Sequence, residues 1–348
     1  MILVTGATGH IGNILVNQLA AIYPDETIRL FLQPQERLHM FDGLRLEIYF
    51  GDIRHEHDVR RAVNGARLVF HLAGLIDTAP RQPQLLQQVN VLGTRLIVEA
   101  CLEYHVERLV YVSSVHALPD LPDNQLIAEI KDFPVPDLLG PYAQSKSSAT
   151  AAVYDGVRRG LDAVVVFPSG VIGPFDYQQS QMGHLFRYLS TQGWLKIVMS
   201  FNGAYNFVDV RDVVGGIIAA ARKGRSGEGY ILSGHRVTLR EVIHLEREVL
   251  GQKQPLVFFA PTWIVRTGAW LATVFCRIFG IKPIFTPYSV AVLGSNCNIS
   301  HAKATAELGY QPRPLAETFR DIIVWMQENG QIRRPRKSPP AAVKVGQN

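Results

Sequence analysis

Ile2-Leu3-Val4-Thr5-Gly6-Ala7-Thr8-Gly9-His10-Ile11-Gly12 opens the chain. A short apolar strand at 2–5 runs into a glycine-rich turn, and a helix is expected from residue 11 to about 21. The three glycines have separate duties. Gly6 lets the backbone turn sharply. Gly9 leaves no side chain where a pyrophosphate would approach. Gly12 lets the helix lie close on the strand. The helix N-terminus then offers free N–H groups and the positive end of its dipole to an anion. The spacing is G-x-x-G-x-x-G rather than G-x-G-x-x-G. Dinucleotide binding is the expectation, and a tight turn with no ligand is the plainer alternative.

Outward from that turn, strand and helix signals alternate. Strands are expected at 27–32, 45–50, 67–72, 108–113 and 161–167. Helices are expected at 58–64, 83–104 and 142–159. This βαβα order predicts an α/β fold of Rossmann type, a doubly wound parallel sheet with helices on both faces. Ligands of such sheets lie at the carboxyl ends of the strands. The glycine turn, Asp52, residues 71–74, Ser113, Ser114 and residues 168–174 all fall there. After Pro168 the regularity weakens. A short strand is expected at 207–210 and a helix at 212–222, and from about 239 the chain reads as mainly helical. The expected division is a cofactor domain of 1–173 plus about 201–235. A smaller, mainly helical substrate domain takes 174–200 plus 236–330.

The 348 residues carry a net charge of +5, with 47% hydrophobic and 19% charged residues. The charge is misleading. Residues 331–348 hold Arg333, Arg334, Arg336, Lys337 and Lys344 and no acid, so the tail supplies it and the body is near neutral. A basic nucleic-acid-binding face is therefore not expected. The tail, with three prolines, reads as a disordered basic end. Its alternative is contact with an anionic membrane. Cys101, Cys276 and Cys297 are odd in number and widely spaced, which suits a reducing, cytoplasmic setting and argues against a cysteine-rich metal site. No metal is expected. No signal peptide and no spanning helix are read from the sequence.

The second informative stretch is Tyr142-Ala143-Gln144-Ser145-Lys146. Residues i and i+4 share a helix face. A phenol with a pKa of about 10 is a poor base at neutral pH, and a cation one turn away favours its ionised form. Tyr142 could then exchange a proton with a substrate oxygen while hydride moves to or from a nicotinamide. Lys146 is long enough to reach ribose hydroxyls. Ser114, at a strand end, could hold the same substrate oxygen. Each has a bland alternative: a packed Tyr, a solvated Lys, a turn Ser. His116 reads more simply as a loop histidine than as a substrate contact.

These segments together resemble the extended short-chain dehydrogenase/reductase superfamily, in its NAD-dependent epimerase/dehydratase family. The resemblance rests on residues 5–12, Gly51-Asp52-Ile53-Arg54, His71-Leu72-Ala73-Gly74, Val89-Asn90-Val91-Leu92-Gly93-Thr94 and Tyr111-Val112-Ser113-Ser114. It continues through 142–146, Pro168-Ser169-Gly170-Val171-Ile172-Gly173-Pro174 and residues 206–212. It implies Ser114, Tyr142 and Lys146 as a catalytic trio supported by Asn90. It implies cofactor contacts from Gly6, Thr8, Gly9, His10, Ile11, Gly12, Ile53, Leu72, Ala73 and Gly74. Asp52 would sit at the adenine, and Pro168, Gly170 and Val171 near the nicotinamide. A homodimer is expected.

The NAD or NADP choice lies at the end of the second strand, about 20 residues past the glycines. The strand end is Gln33, which neither accepts a ribose hydroxyl as an acid would nor neutralises a phosphate. Arg37 could pair with a 2′-phosphate, although Glu36 sits beside it. The missing acid at Gln33 tilts the reading toward NADP. Val115 and His116 follow Ser114 where dehydratases of this type carry an acid pair, so dehydration is disfavoured. A nucleotide-sugar epimerase would need cations such as Arg187, Arg211 or Arg240. Against it stands the apolar stretch at about 256–281, with Trp263, Trp270, Phe275 and Phe279. That stretch is expected to line a pocket for an apolar alcohol or ketone, or to form core. Its alternative is a peripheral membrane contact with Arg266 and Arg277 snorkelling. The resemblance is strongest to the 3β-hydroxysteroid dehydrogenase and dihydroflavonol reductase branch. A non-catalytic dinucleotide-binding regulator is the remaining alternative.

Overall fold

The computed structural model describes residues 1–76, 83–122, 125–178, 180–191, 197–201, 203–278 and 287–332. The first half alternates as β1 (Ile2–Thr5), α1 (His10–Ile22), β2 (Ile28–Leu32), β3 (Leu46–Phe50), α2 (Glu56–Val63) and β4 (Leu68–His71). It continues with α3 (Pro83–Leu86), a π-helical turn (Gln87–Leu92), α4 (Gly93–Glu103), β5 (Arg108–Val112), α5 (Gly140–Arg158) and β6 (Ala163–Pro168). The second half holds β7 (Gly170–Ile172), α6 (Gln181–Thr191), β8 (Ile197–Ser200), β9 (Ala204–Asp209), α7 (Val210–Lys223), β10 (Gly229–Leu232) and β11 (His235–Thr238). It ends with α8 (Leu239–Val249), β12 (Leu256–Phe259), α9 (Thr262–Ile278), α10 (Pro287–Leu293), α11 (Ala302–Leu308) and α12 (Leu315–Glu328).

The main sheet runs β3-β2-β1-β4-β5-β6-β10, and every pairing in it is parallel. Its central strands are apolar on both faces because helices cover both. β6 reads Ala-Val-Val-Val-Phe-Pro and is buried throughout. Alternate residues feed opposite cores. Val4, Leu30, Phe70, Val110 and Val164 pack with α1 and α7. Leu3, Phe31, Val69, Leu109 and Val165 pack with α2, α4 and α5. The doubly wound α/β architecture is thus set by a period of two in the strands and by helical stripes above and below.

Beyond β6 the chain leaves the sheet and returns as β10, which pairs with β6 at Gly229↔Val165. A three-stranded sheet, β11-β9-β7, carries the crossing. A separate apolar cluster forms from Phe186, Val242, Phe319, Ile322, Ile323 and Trp325. Three features differ from the sequence reading. The helix expected at 83–104 is continuous to Glu103 but widens into a π turn around Asn90. The apolar run at 256 is a strand, β12, paired in parallel with β8. Ala304, Leu308 and Tyr310 pack into the core of the main sheet rather than into the smaller cluster. Residues 333–348, which contain nearly all of the basic tail, and residues 279–286 lie outside the described residues.

Candidate active site

The glycine turn needs its glycines for reasons visible in the backbone. Gly6 has φ +69°, and a Cβ there would lie 2.6 Å from the Ala73 nitrogen. A Cβ on Gly12 would lie 2.2 Å from the Gly6 carbonyl oxygen. Gly9 is the N-cap of α1, and no side chain caps the helix. The Thr8 hydroxyl, which stands next in the chain, donates instead to Glu36. The first-turn N–H groups of His10, Ile11 and Gly12 therefore have no intrahelical partner and no cap, which is an anion site in waiting. The turn is anchored from the other side. His10 Nε2 bonds the Pro174 carbonyl at 2.9 Å, and Asn13 Nδ2 donates to the carbonyls of Gly9 (2.9 Å) and Phe175 (3.2 Å).

In the turn after β2 the Glu36 side chain folds back toward the glycine turn. Its carboxylate accepts from the Gln33 backbone N–H at 3.0 Å and from the Thr8 hydroxyl. Gln33 itself accepts from Gln35, and Arg37 is exposed. Asp52 is paired with Arg54, which holds its carboxyl below the usual carboxylate range. The Asp52 N–H donates to Asp58 at 3.0 Å. Ile53 is buried and faces Gly93 at the start of α4.

A chain of hydrogen bonds links this turn to α5. The Ala73 N–H donates to Thr5 Oγ1 at 3.1 Å, and Thr5 Oγ1 meets His71 Nδ1 at 2.8 Å. His71 Nε2 meets Thr94 Oγ1 at 3.0 Å, and Thr94 donates to the Asn90 carbonyl at 2.6 Å. The Thr94 donation leaves its oxygen to accept, so His71 carries its proton on Nε2 and accepts from Thr5 on Nδ1. Complete burial pushes the His71 pKa down to about 3, so it stays neutral. The Asn90 side chain accepts from the Leu75 N–H (2.7 Å) and donates to the Leu75 carbonyl (3.1 Å) and Ser145 Oγ (2.9 Å). Ser145 donates to the Tyr142 carbonyl at 2.8 Å. The π turn is what aims Asn90 at these partners. Leu72, Ala73 and Gly74 follow β4 directly, and Gly74 is pressed against Asn90 and Lys146: a Cβ there would lie 3.3 Å from Lys146 Nζ.

Helix α5 starts at Gly140-Pro141, a positive-φ glycine and a proline suited to the first turn. It places Tyr142 and Lys146 on one buried face. Lys146 Nζ donates to the Val112 carbonyl at 3.0 Å and lies 5.3 Å from the Tyr111 ring centroid. Burial pushes its ammonium from 10.5 down to about 8. Ser114, just past β5, accepts from the His116 N–H at 3.2 Å, and its hydroxyl hydrogen is left to donate. The His116 ring lies 6.0 Å from the Tyr142 ring, edge to face, and its Nε2 bonds Tyr205 Oη at 2.8 Å. Burial pushes His116 down to about 4. Pro168 ends β6, and Gly170 and Val171 belong to β7. Tyr205 fits only because Gly170 has no side chain, since a Cβ there would lie 2.2 Å from Tyr205 Cε1.

The residues present fit a dinucleotide. An uncapped helix start stands behind the glycines, the Glu36 carboxylate stands in the turn after β2, and Ser169 Oγ, beside Pro168, is buried with no hydrogen-bond partner among the described residues. The pattern of the NAD dependent epimerase/dehydratase family matches residues 2–233, which span the glycine turn, all seven strands of the main sheet and the Tyr142/Lys146 helix. The chain belongs to that family. It is an enzyme of the extended short-chain dehydrogenase/reductase type, with an NAD-binding Rossmann fold.

Among relatives, this family member is 30% identical over 334 residues to sterol demethylase protein B of Methylococcus capsulatus, covering 95% of this chain and 99% of that one. It is 28% identical to human 3 beta-hydroxysteroid dehydrogenase type 7, covering 93% and 95%. The solved structure of gox2253 superposes with a TM-score of 0.79 at 28% identity, covering 96% of this chain and 99% of that one. The motifs weigh Glu36 only as a neighbour of Arg37, and they give no role to Ser169, Tyr205 or the Thr5-His71-Thr94 bridge. Glu36 and Ser169 lie in stretches that were quoted for other residues. Nothing in the sequence joins Tyr205 to His116.

Proposed function

We propose that this family member interconverts a secondary alcohol and a ketone on an apolar, sterol-like ring substrate, using NAD. The observation that carries the chemistry is the buried Tyr142/Lys146 pair beside the strand-end turn of Ser114 and His116. The substrate class is supported by the two sterol-related relatives. Residues 1–173 with 201–235 would hold the cofactor, joined by the 302–310 segment that packs on the main sheet, and 174–200 with the rest of 236–330 would close over it. When bound, the nicotinamide accepts or supplies the hydride. Tyr142 Oη takes a proton from the substrate oxygen in oxidation and returns it in reduction. The Lys146 ammonium, held one turn away, would favour the ionised phenol and would hold the ribose hydroxyls of the cofactor. The Ser114 hydroxyl donates to the same substrate oxygen and fixes its position. Asn90, through Ser145, steadies the turn of helix that carries Tyr142.

The Glu36 geometry supports NAD, against the weak lean to NADP drawn from the missing acid at Gln33. A carboxylate beside the glycine turn suits a ribose 2′-hydroxyl and repels a 2′-phosphate. Glu36→Ala is expected to shift the ratio of kcat/KM values toward NADP by about 10–100-fold, as removal of a like-charge clash should. An unchanged ratio, or NADP preference in the natural protein, would remove Glu36 from this role.

The epimerase alternative loses one of its cations. Arg211 is held at 2.7 Å by both Asp209 and Asp321 and is not available to a diphosphate. A substrate panel decides between the two. A 3β-hydroxysterol is expected to generate free NADH, and UDP-glucose is expected to give none. Interconversion of a nucleotide sugar with no net change in nicotinamide absorbance would sink the sterol reading.

A further inference from the structure

Helix α9 and strand β12 carry a large apolar surface that the fold does not cover. The inward stripe of α9 is narrow: Val265 and Ala269 meet Phe201, Val290 and Leu293. The opposite side shows Trp263, Ile264, Trp270, Leu271 and Phe275 to solvent, with Trp263 69% and Trp270 57% exposed. Their spacing of seven, eight and twelve residues puts them on one side of the helix. Leu256, Phe258 and Phe259 of β12 are each more than half exposed as well. Single exposed apolar residues are ordinary, but eight on two consecutive elements are not. The sequence reading favoured pocket or core for this stretch, and the structure turns it outward.

Charge identifies what covers it. From Val249 to Ala306 the chain has no Asp or Glu, while Lys253, Arg266, Arg277, Lys282 and Lys303 are present. A second copy of this chain docked face to face would set like charges against each other, because a two-fold contact repeats the same patch on both sides. An anionic lipid surface complements both properties at once. Trp and Phe sit at the headgroup boundary, and basic residues meet the negative leaflet. No described helix is long and apolar enough to cross a membrane. We infer that the outward face of β12 and α9 seats the protein in one leaflet of an anionic bilayer, with Trp263, Trp270 and Phe275 entering the interface. This inference rests on nothing in the catalytic reading.

Vesicle flotation with the full-length protein tests it without turnover. Vesicles of phosphatidylcholine with phosphatidylglycerol are expected to carry the protein, and pure phosphatidylcholine to carry about tenfold less. A Trp263→Ser/Trp270→Ser variant should lose about tenfold of the binding, with an unchanged far-UV spectrum and an unchanged melting temperature. Arg266→Gln should weaken binding and make it less sensitive to salt. A variant with Arg333, Arg334, Arg336 and Lys337 changed to Gln keeps most of the binding if the face is the seat. Two results would overturn the inference. One is binding abolished by the tail variant but untouched by the Trp variant. The other is no vesicle binding, with self-association that the Trp variant abolishes, which would make the face a dimer contact.

Discussion

Replacing Tyr142 by Phe is expected to lower kcat by about 10²–10⁴-fold, the usual worth of a positioned proton donor. The melting temperature and the coenzyme affinity should stay near those of the natural protein. The ring is buried and packs edge to face on His116, and a Phe ring keeps that packing. What goes is the hydroxyl that the proposed mechanism uses to exchange a proton with the substrate. A companion measurement separates Tyr142 from its neighbour. Burial lowers the Lys146 ammonium to about 8. Its charge is therefore full well below pH 8 and lost as the pH rises through that value. The free-enzyme profile of kcat/KM should fall along a limb near pH 8, and Lys146→Met should erase that limb while lowering the plateau. A Tyr142→Phe variant that kept more than a tenth of the natural kcat would remove Tyr142 from catalysis.

Gly12→Ala is the second large effect expected, and it acts through the backbone. The added methyl would meet the Gly6 carbonyl oxygen at 2.2 Å and the Ala7 Cα at 2.8 Å. Neither neighbour is a flexible side chain, so helix α1 must move off the turn. Overpacking of this kind costs about 1–3 kcal/mol, and the displaced helix start no longer aims its N–H groups at a phosphate. Denaturant unfolding should show that loss, and calorimetric titration should show NAD binding weakened by at least about tenfold, the factor that 1.4 kcal/mol represents. A variant of natural stability and natural NAD affinity would mean that the glycine spacing has no bearing on ligand binding. Gly43, where nothing lies within 4 Å of an added Cβ but φ is +85°, serves as a contrast, because only its backbone conformation opposes substitution.

The sheet was legible because its strands advertise themselves. Runs such as Leu-Val-Phe-His and Ala-Val-Val-Val-Phe-Pro, each closed by a turn, leave little choice but buried parallel strands. That Tyr142 and Lys146 share one buried helix face was equally legible, since i and i+4 on a helix is a local relation. Relations across the fold were not. Glu36 reaches Thr8 only because the chain doubles back after β2. Tyr205 reaches His116 only because Gly170 makes room. The π turn at 87–92 inserts a wider helical step that no periodicity in that stretch reveals, yet it is what points Asn90 toward Leu75 and Ser145. The side of α9 that faces outward was left open between two readings for a different reason. An apolar helix looks the same in sequence whether it meets a core or a lipid, and only its neighbours distinguish the two.

The seventh strand of the main sheet has a consequence for biosynthesis. β6 emerges from the ribosome well before β10, and until then its outer edge is a row of unpaired peptide groups on an Ala-Val-Val-Val-Phe strand. The seal comes later still. Glu307 bonds Tyr230 and Arg225, and Lys303 bonds Glu228 and the Gly229 carbonyl, so residues beyond 300 clamp β10 in place. A nascent chain stopped between Phe175 and Gly229 carries an anchored glycine turn and, at β6, an open, adhesive edge. Truncated products of this gene should therefore be found in inclusion bodies or bound to chaperones, even though they contain every residue of the trio.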